Sequence, residues 1–155
     1  MDRLEAGDKA PDFTLDSDQG PVTLQQYQGD WVVLYFYPKD FTSGCTQEAC
    51  DFRDALANRE MAATVLGVSP DPVESHAHFK EEHGLTFPLL ADEDHKVAEA
   101  YGAYGTKNLY GKKIEGVIRS TFLIAPDGTI REPFYNVKAG GHAQRVAAAL
   151  REAQA

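Results

Sequence analysis

Basic residues are scarce in this chain. Fifteen Lys and Arg stand against twenty-four Asp and Glu, a formal net charge of −9. Nucleic acids and anionic membrane surfaces both need a basic face, so neither is expected as a partner. No apolar run approaches the roughly 18 residues of a membrane span; the longest covers residues 31–37. Met1-Asp2-Arg3-Leu4-Glu5 lacks the basic-then-apolar pattern of a secretory leader, which predicts a cytoplasmic protein whose thiols stay reduced. There is no low-complexity tract or internal repeat, and the length predicts one domain over residues 1–155. The chain has only two cysteines, Cys45 and Cys50. CxxC is absent, which disfavours a redox dithiol of that spacing, and CxxCH is absent, which excludes covalent haem. Two cysteines without a neighbouring histidine do not make a zinc site. Asp92-Glu93-Asp94 lacks the glycine and spacing of a calcium loop and reads as helix-start charge. Gly140-Gly141 is no nucleotide fingerprint. Neither a metal nor an organic cofactor is expected.

What is present is an α/β pattern. Residues 13–15 and 21–24 flank a Ser17-Asp18-Gln19-Gly20 turn, an N-terminal β-hairpin. Residues 31–37 are apolar at every position, as in a strand buried on both faces of a sheet. Pro38 stops that strand, and a helical pattern runs from about 44 to 60, with Phe52, Ala55, Leu56 and Arg59 on one face. A second buried strand spans 64–69. A helix follows over 73–83, with Asp71 as its expected N-cap and His76 and His78 expected in solvent on different faces. Residues 87–91 form a short strand and 94–101 a short helix. Residues 105–116 are polar and read as an irregular surface excursion. Residues 118–124 and 129–135 form an antiparallel pair around Pro126-Asp127-Gly128, and an amphipathic helix closes the chain over 142–152. The order predicts one mixed central sheet flanked by helices.

Cys45 follows the central strand and falls in the first turn of the next helix. There the free backbone N–H groups and the positive dipole end favour a thiolate over a thiol. Thr42, Ser43 and Gly44 beside it favour a nucleophile over a buried structural cysteine. On an ideal helix, residues i and i+5 have Cα atoms roughly 8.6 Å apart. A disulfide needs less than about 7 Å. Cys45 and Cys50 therefore either never bond or bond only after the helix unwinds.

Pro38-Lys39-Asp40-Phe41-Thr42-Ser43-Gly44-Cys45 resembles the PxxxTxxC signature of peroxiredoxins, thiol peroxidases on a thioredoxin fold. The chain is most similar to the bacterioferritin comigratory protein, or peroxiredoxin Q, subfamily, which places a second cysteine where Cys50 stands. Gly7-Asp8-Lys9-Ala10-Pro11-Asp12-Phe13, Leu90-Ala91-Asp92, Tyr110-Gly111-Lys112 and Arg119-Ser120-Thr121-Phe122-Leu123-Ile124 extend the resemblance over nearly the whole chain. Many relatives carry Pro where this chain has Ser43, a difference that bears on loop rigidity and not on chemistry.

The resemblance implies roles by position. Cys45 is the peroxidatic thiolate and becomes a sulfenic acid. Thr42 hydrogen-bonds the peroxide, Arg119 stabilises the thiolate and leaving oxygen, and Pro38 shields the sulfur. Backbone N–H groups near Gly44 and Cys45 complete the pocket. Glu48 holds the position of an arginine-orienting Glu or Gln, with a helix-surface charge as its plainer reading; for Arg119 the plainer reading is also a surface charge. Cys50 resolves the sulfenic acid as an intramolecular disulfide, which thioredoxin or a similar dithiol reduces. Substrates are hydrogen peroxide and organic hydroperoxides, and the protein is expected to be a monomer. Two other readings remain beside this one: a general disulfide oxidoreductase, and a redox sensor that uses the cysteine pair as a switch.

Overall fold

The structure is a computed structural model that describes residues 3–155, apart from the side chain of residue 109. Along the chain run β1 (Thr14–Ser17), β2 (Gly20–Thr23), a single 3-10 turn (Gln25–Tyr27), β3 (Val32–Phe36), α1 (Ser43–Ala57), β4 (Thr64–Ser69), α2 (Val73–His83) and β5 (Leu89–Ala91). They are followed by α3 (Lys96–Ala100), β6 (Tyr104–Leu109), β7 (Lys112–Val117), β8 (Ser120–Ile124), β9 (Ile130–Phe134) and α4 (His142–Gln154). Seven strands form one mixed sheet in the order β2-β1-β5-β4-β3-β8-β9. β3 is parallel to β4 and antiparallel to β8, so it sits inside the sheet with a partner on each side.

Both faces of β3 are covered, which is why its sequence does not alternate. Val33 and Tyr35, with Tyr37 just beyond the strand, pack against Ala49, Phe52 and Ala55 of α1, Phe79 of α2, and Val146 and Leu150 of α4. Val32, Leu34 and Phe36 face the other way, toward Ala98 of α3, Tyr101 and Phe122. Burying a Val, Leu or Phe side chain contributes about 1.5–3 kcal/mol. With all five residues buried and registered on both edges, β3 gives the loop that leaves it a fixed starting point.

Four local expectations are corrected. Residues 105–116 are not irregular: β6 and β7 form an antiparallel ribbon, closed by Tyr110 and Gly111 with φ of 52° and 79°. A two-residue hairpin with positive φ at both positions usually carries Asn-Gly, so Tyr110 hid the turn. Asp71 does not cap α2; Pro72 holds that position with no side-chain cap, and Asp71 faces the loop before α1 instead. His76 is buried, its Nδ1 2.7 Å from Asp40 Oδ2 and its Nε2 2.9 Å from Leu90 O, whereas His78 is exposed as expected. Arg59 is not on the buried face of α1, which ends at Ala57; it lies past the C-cap with φ 58°. Asp92 does serve a helix start: its carboxylate accepts the N–H groups of Val97 and Ala98.

Candidate active site

Tyr37 still belongs to the sheet, its N–H donating to Val68 O at 3.0 Å. Pro38, half-buried, has no N–H with which to extend the ladder, and the chain turns away. Phe41 adopts φ 67°, a left-handed conformation that an aromatic residue takes only when its surroundings hold it. Asp40 does the holding. Its buried carboxylate accepts from Tyr37 OH (2.6 Å), Ser75 Oγ (2.8 Å) and His76 Nδ1 (2.7 Å). Thr42 then takes the extended N-cap position of α1 without capping it; its Oγ1 donates back to Lys39 O at 2.8 Å. With its proton engaged there, the exposed hydroxyl keeps its lone pairs for another donor.

Cys45 is the third residue of α1. The first ladder bond runs from Thr46 N–H to Thr42 O, so Cys45 lies in the turn whose N–H groups have no helical acceptor. Its side chain is buried in the α1 face of the core. Arg119, just ahead of β8 and so beside the end of β3, donates from Nη2 to Cys45 Sγ at 3.2 Å and from Nη1 to Glu48 Oε1 at 2.6 Å. Glu48 follows Cys45 by three residues, which puts both on one side of the helix. It is wholly buried, and its second oxygen, Oε2, has no partner among the described residues. Burial pushes the Glu48 carboxyl up to about 7, against the pull of the Arg119 charge in the opposite direction.

Gly44 flanks this contact: a Cβ added there would stand 3.4 Å from Arg119 Nη2, filling the space over the guanidinium. A second cation lies nearby. Lys107 of β6 donates to Val117 O at 2.9 Å, and burial together with the positive charge of Arg119 lowers its pKa. Both cysteines are free thiols; Cys50 is half-buried on the same unbroken helix. It lies about 140° around the helix from Cys45 and not in the Arg119 pocket.

The chain as a whole is similar to known proteins. The AhpC/TSA family model matches residues 6–133. Peroxiredoxin Bcp of Bacillus subtilis is 46% identical over 151 residues, covering 96% of each chain. The Escherichia coli peroxiredoxin Bcp is 44% identical over 144 residues, 92% of each. The solved Xanthomonas campestris bacterioferritin comigratory protein, described with its alkyl peroxide reduction activity, superposes with a TM-score of 0.88 at 40% identity, over 97% of this chain and 100% of that one. A PrxQ mutant of Xylella fastidiosa gives a TM-score of 0.91 at 37% identity over the full length of both. The chain belongs to the AhpC/TSA family, as a peroxiredoxin of the Bcp/peroxiredoxin Q type. Its mixed sheet with flanking helices is the thioredoxin-like fold of those structures.

In this peroxiredoxin the structure brings together Cys45, Gly44, Glu48 and Arg119, with Thr42 and Pro38 on the adjoining loop. Glu48 is not a helix-surface charge, since none of it is exposed, and the Arg119 side chain, 16% exposed, has two partners. Sequence reasoning missed Asp40, Asp71, His76 and Lys107. A buried Tyr37 at the end of the central strand was the available signal for Asp40 and His76, because its hydroxyl needs a polar partner close by.

Proposed function

We propose that this peroxiredoxin reduces hydrogen peroxide and organic hydroperoxides in a cycle carried by Cys45 and Cys50 and completed by thioredoxin or a similar dithiol in the cytoplasm. The observation that supports it most directly is the 3.2 Å approach of Arg119 Nη2 to Cys45 Sγ at the start of α1. A charged donor aimed at sulfur stabilises the anion that attacks, and the same guanidinium is in reach of an oxygen bound beside the sulfur.

In the first step the Cys45 thiolate attacks one peroxide oxygen, the O–O bond breaks, and the departing hydroxide or alkoxide takes a proton to leave as water or alcohol. Thr42 accepts a hydrogen bond from the peroxide O–H through its open lone pairs. Cys45 becomes a sulfenic acid. In the second step the Cys50 sulfur displaces the sulfenic hydroxyl, water leaves, and a Cys45–Cys50 disulfide forms. Five residues apart on an unbroken helix, the pair exceeds the span of a disulfide, so the first turns of α1 unwind before this step. Thiol–disulfide exchange with the external dithiol returns both thiols. Both sulfurs belong to one helix of one chain, so the cycle needs no residue from a second copy, and a monomer suffices.

Steady-state peroxide consumption with thioredoxin and its reductase tests the reading. Turnover is expected from the wild type and none from Cys45→Ser. Undiminished turnover by that variant would remove Cys45 from its role. A wild type that consumes no peroxide under these conditions, yet forms the disulfide, would favour a redox switch.

A further inference from the structure

The peptide group between Lys39 and Asp40 is held at both ends. Its carbonyl accepts the Thr42 hydroxyl proton at 2.8 Å, and its N–H donates to Asp71 Oδ2 at 2.6 Å. A peptide is planar, so fixing the direction of its N–H fixes the direction of its C=O. Asp71 comes from the segment between β4 and α2, and it makes no cap for α2. Its own placement is set by the buried Ser69: Asp71 N–H donates to Ser69 Oγ at 3.1 Å, and Ser69 Oγ lies 3.3 Å from Asp71 Oδ2. The Asp40 side chain, clamped by Tyr37, Ser75 and His76, pins the same peptide from its other neighbour.

We propose that Asp71 is a positioning residue for peroxide binding, orienting the Thr42 hydroxyl through the Lys39–Asp40 peptide. The inference rests on the reading of Thr42 as the hydrogen-bond partner of the peroxide. The bond from Asp40 N–H to a carboxylate is charge-assisted and short. Hydrogen bonds in a chain polarise one another, so the Lys39 carbonyl becomes a stronger acceptor for the Thr42 proton. That proton is then kept away from the pocket, and Thr42 presents only lone pairs to an incoming O–O–H group. Without Asp71 the peptide N–H loses the acceptor that fixes its direction, the Lys39 carbonyl is a weaker acceptor for Thr42, and the hydroxyl meets the peroxide proton as a competing donor part of the time.

The test measures two reactions of Cys45 in a Cys50→Ser background: oxidation by hydrogen peroxide, followed by dimedone trapping of the sulfenic acid, and alkylation by iodoacetamide. Alkylation depends on the thiolate and needs no peroxide-binding hydroxyl. Asp71→Ala is expected to slow oxidation about three- to tenfold, the rate equivalent of one net hydrogen bond. Its alkylation rate should stay at the parent value. Asp71→Asn, which keeps an oxygen to accept the Asp40 N–H, should fall between parent and alanine variant. Thr42→Val should slow oxidation, and adding Asp71→Ala to it should slow oxidation no further. The inference is overturned if Asp71→Ala oxidises at the parent rate while Thr42→Val is slow, or if its effect persists in the Thr42→Val background. An equal slowing of alkylation overturns it too, because Asp71 would then merely hold the pocket together. If Thr42→Val itself oxidises at the parent rate, the peroxide-binding role of Thr42 fails and the inference fails with it.

Discussion

Glu48 and Arg119, 71 positions apart in the chain, meet at 2.6 Å between Oε1 and Nη1, and the other guanidinium nitrogen points at Cys45 Sγ. The carboxyl group is wholly buried, and one of its oxygens has no partner among the described residues. Arg119 is thus held between a buried carboxyl group and the sulfur it serves. Both hydrogen-bond partners of its guanidinium belong to α1.

That pairing makes stability depend on pH in an unusual sense. The Glu48 carboxyl is raised from 4.5 to about 7 by burial, so between these values the folded chain holds a proton that the unfolded chain has lost. Stability should therefore fall as pH rises through this window, the reverse of an ordinary paired carboxylate. Relative to Glu48→Gln, whose side chain does not titrate, the wild type should lose on the order of 2–3 kcal/mol between pH 4.5 and 7.5. Urea denaturation of both proteins across that range measures it. A constant difference between the two would show that Glu48 titrates normally.

Arg119→Lys keeps the charge and loses the fork that reaches Glu48 and Cys45 together. A catalytic donor of this kind is worth about 100-fold or more in rate. Stopped-flow oxidation of Cys45 by hydrogen peroxide should slow by that order, with unchanged far-UV circular dichroism. A loss under threefold would remove Arg119 from the transition state.

One equivalent of peroxide should convert wild-type protein to a Cys45–Cys50 disulfide, seen by peptide mass spectrometry, whereas Cys50→Ser should retain a sulfenic acid that dimedone traps. Amide exchange should show the cost to α1: protection over residues 42–54 falls in the oxidised protein and returns on reduction. Equal protection in both forms would mean that the thiols bond without unwinding the helix.

Gly67 of β4 tests how the pocket is supported from below. A Cβ there would come within 2.9 Å of the Tyr35 ring, its hydroxyl and Leu89. Tyr35 is buried in a stack with Phe52 of α1 at 4.8 Å between centroids, so the ring has nowhere to move. Gly67→Ala should cost about 1–3 kcal/mol, as overpacking in a dense core does, read as a lower urea midpoint with an unchanged m-value. Wild-type stability would show that the ring shifts freely.

The sheet was legible because its signals are local. The unbroken apolar run ending at Tyr37 located the central strand, and Pro38 located its end. The polar ribbon of β6 and β7 was not legible: outward positions such as Lys112, Lys113 and Glu115 are all exposed, so no buried face imposed an alternation. Glu48 and Arg119 could be matched to a family pattern by position, yet each also read as a surface charge.

The sequence by itself determined the fold class, the strand-to-helix junction and the placement of Cys45 in the first turn of α1. These follow from periodicity, a proline and a helix start, all within a few residues of one another. Tertiary structure decided which groups surround that sulfur. Arg119 arrives at the sulfur from beside β8, while Asp71 from the segment after β4 and His76 from α2 hold Asp40 in the loop before it. Hydrogen bonds between such distant residues depend on how the sheet and helices pack, and leave no periodic trace along the chain.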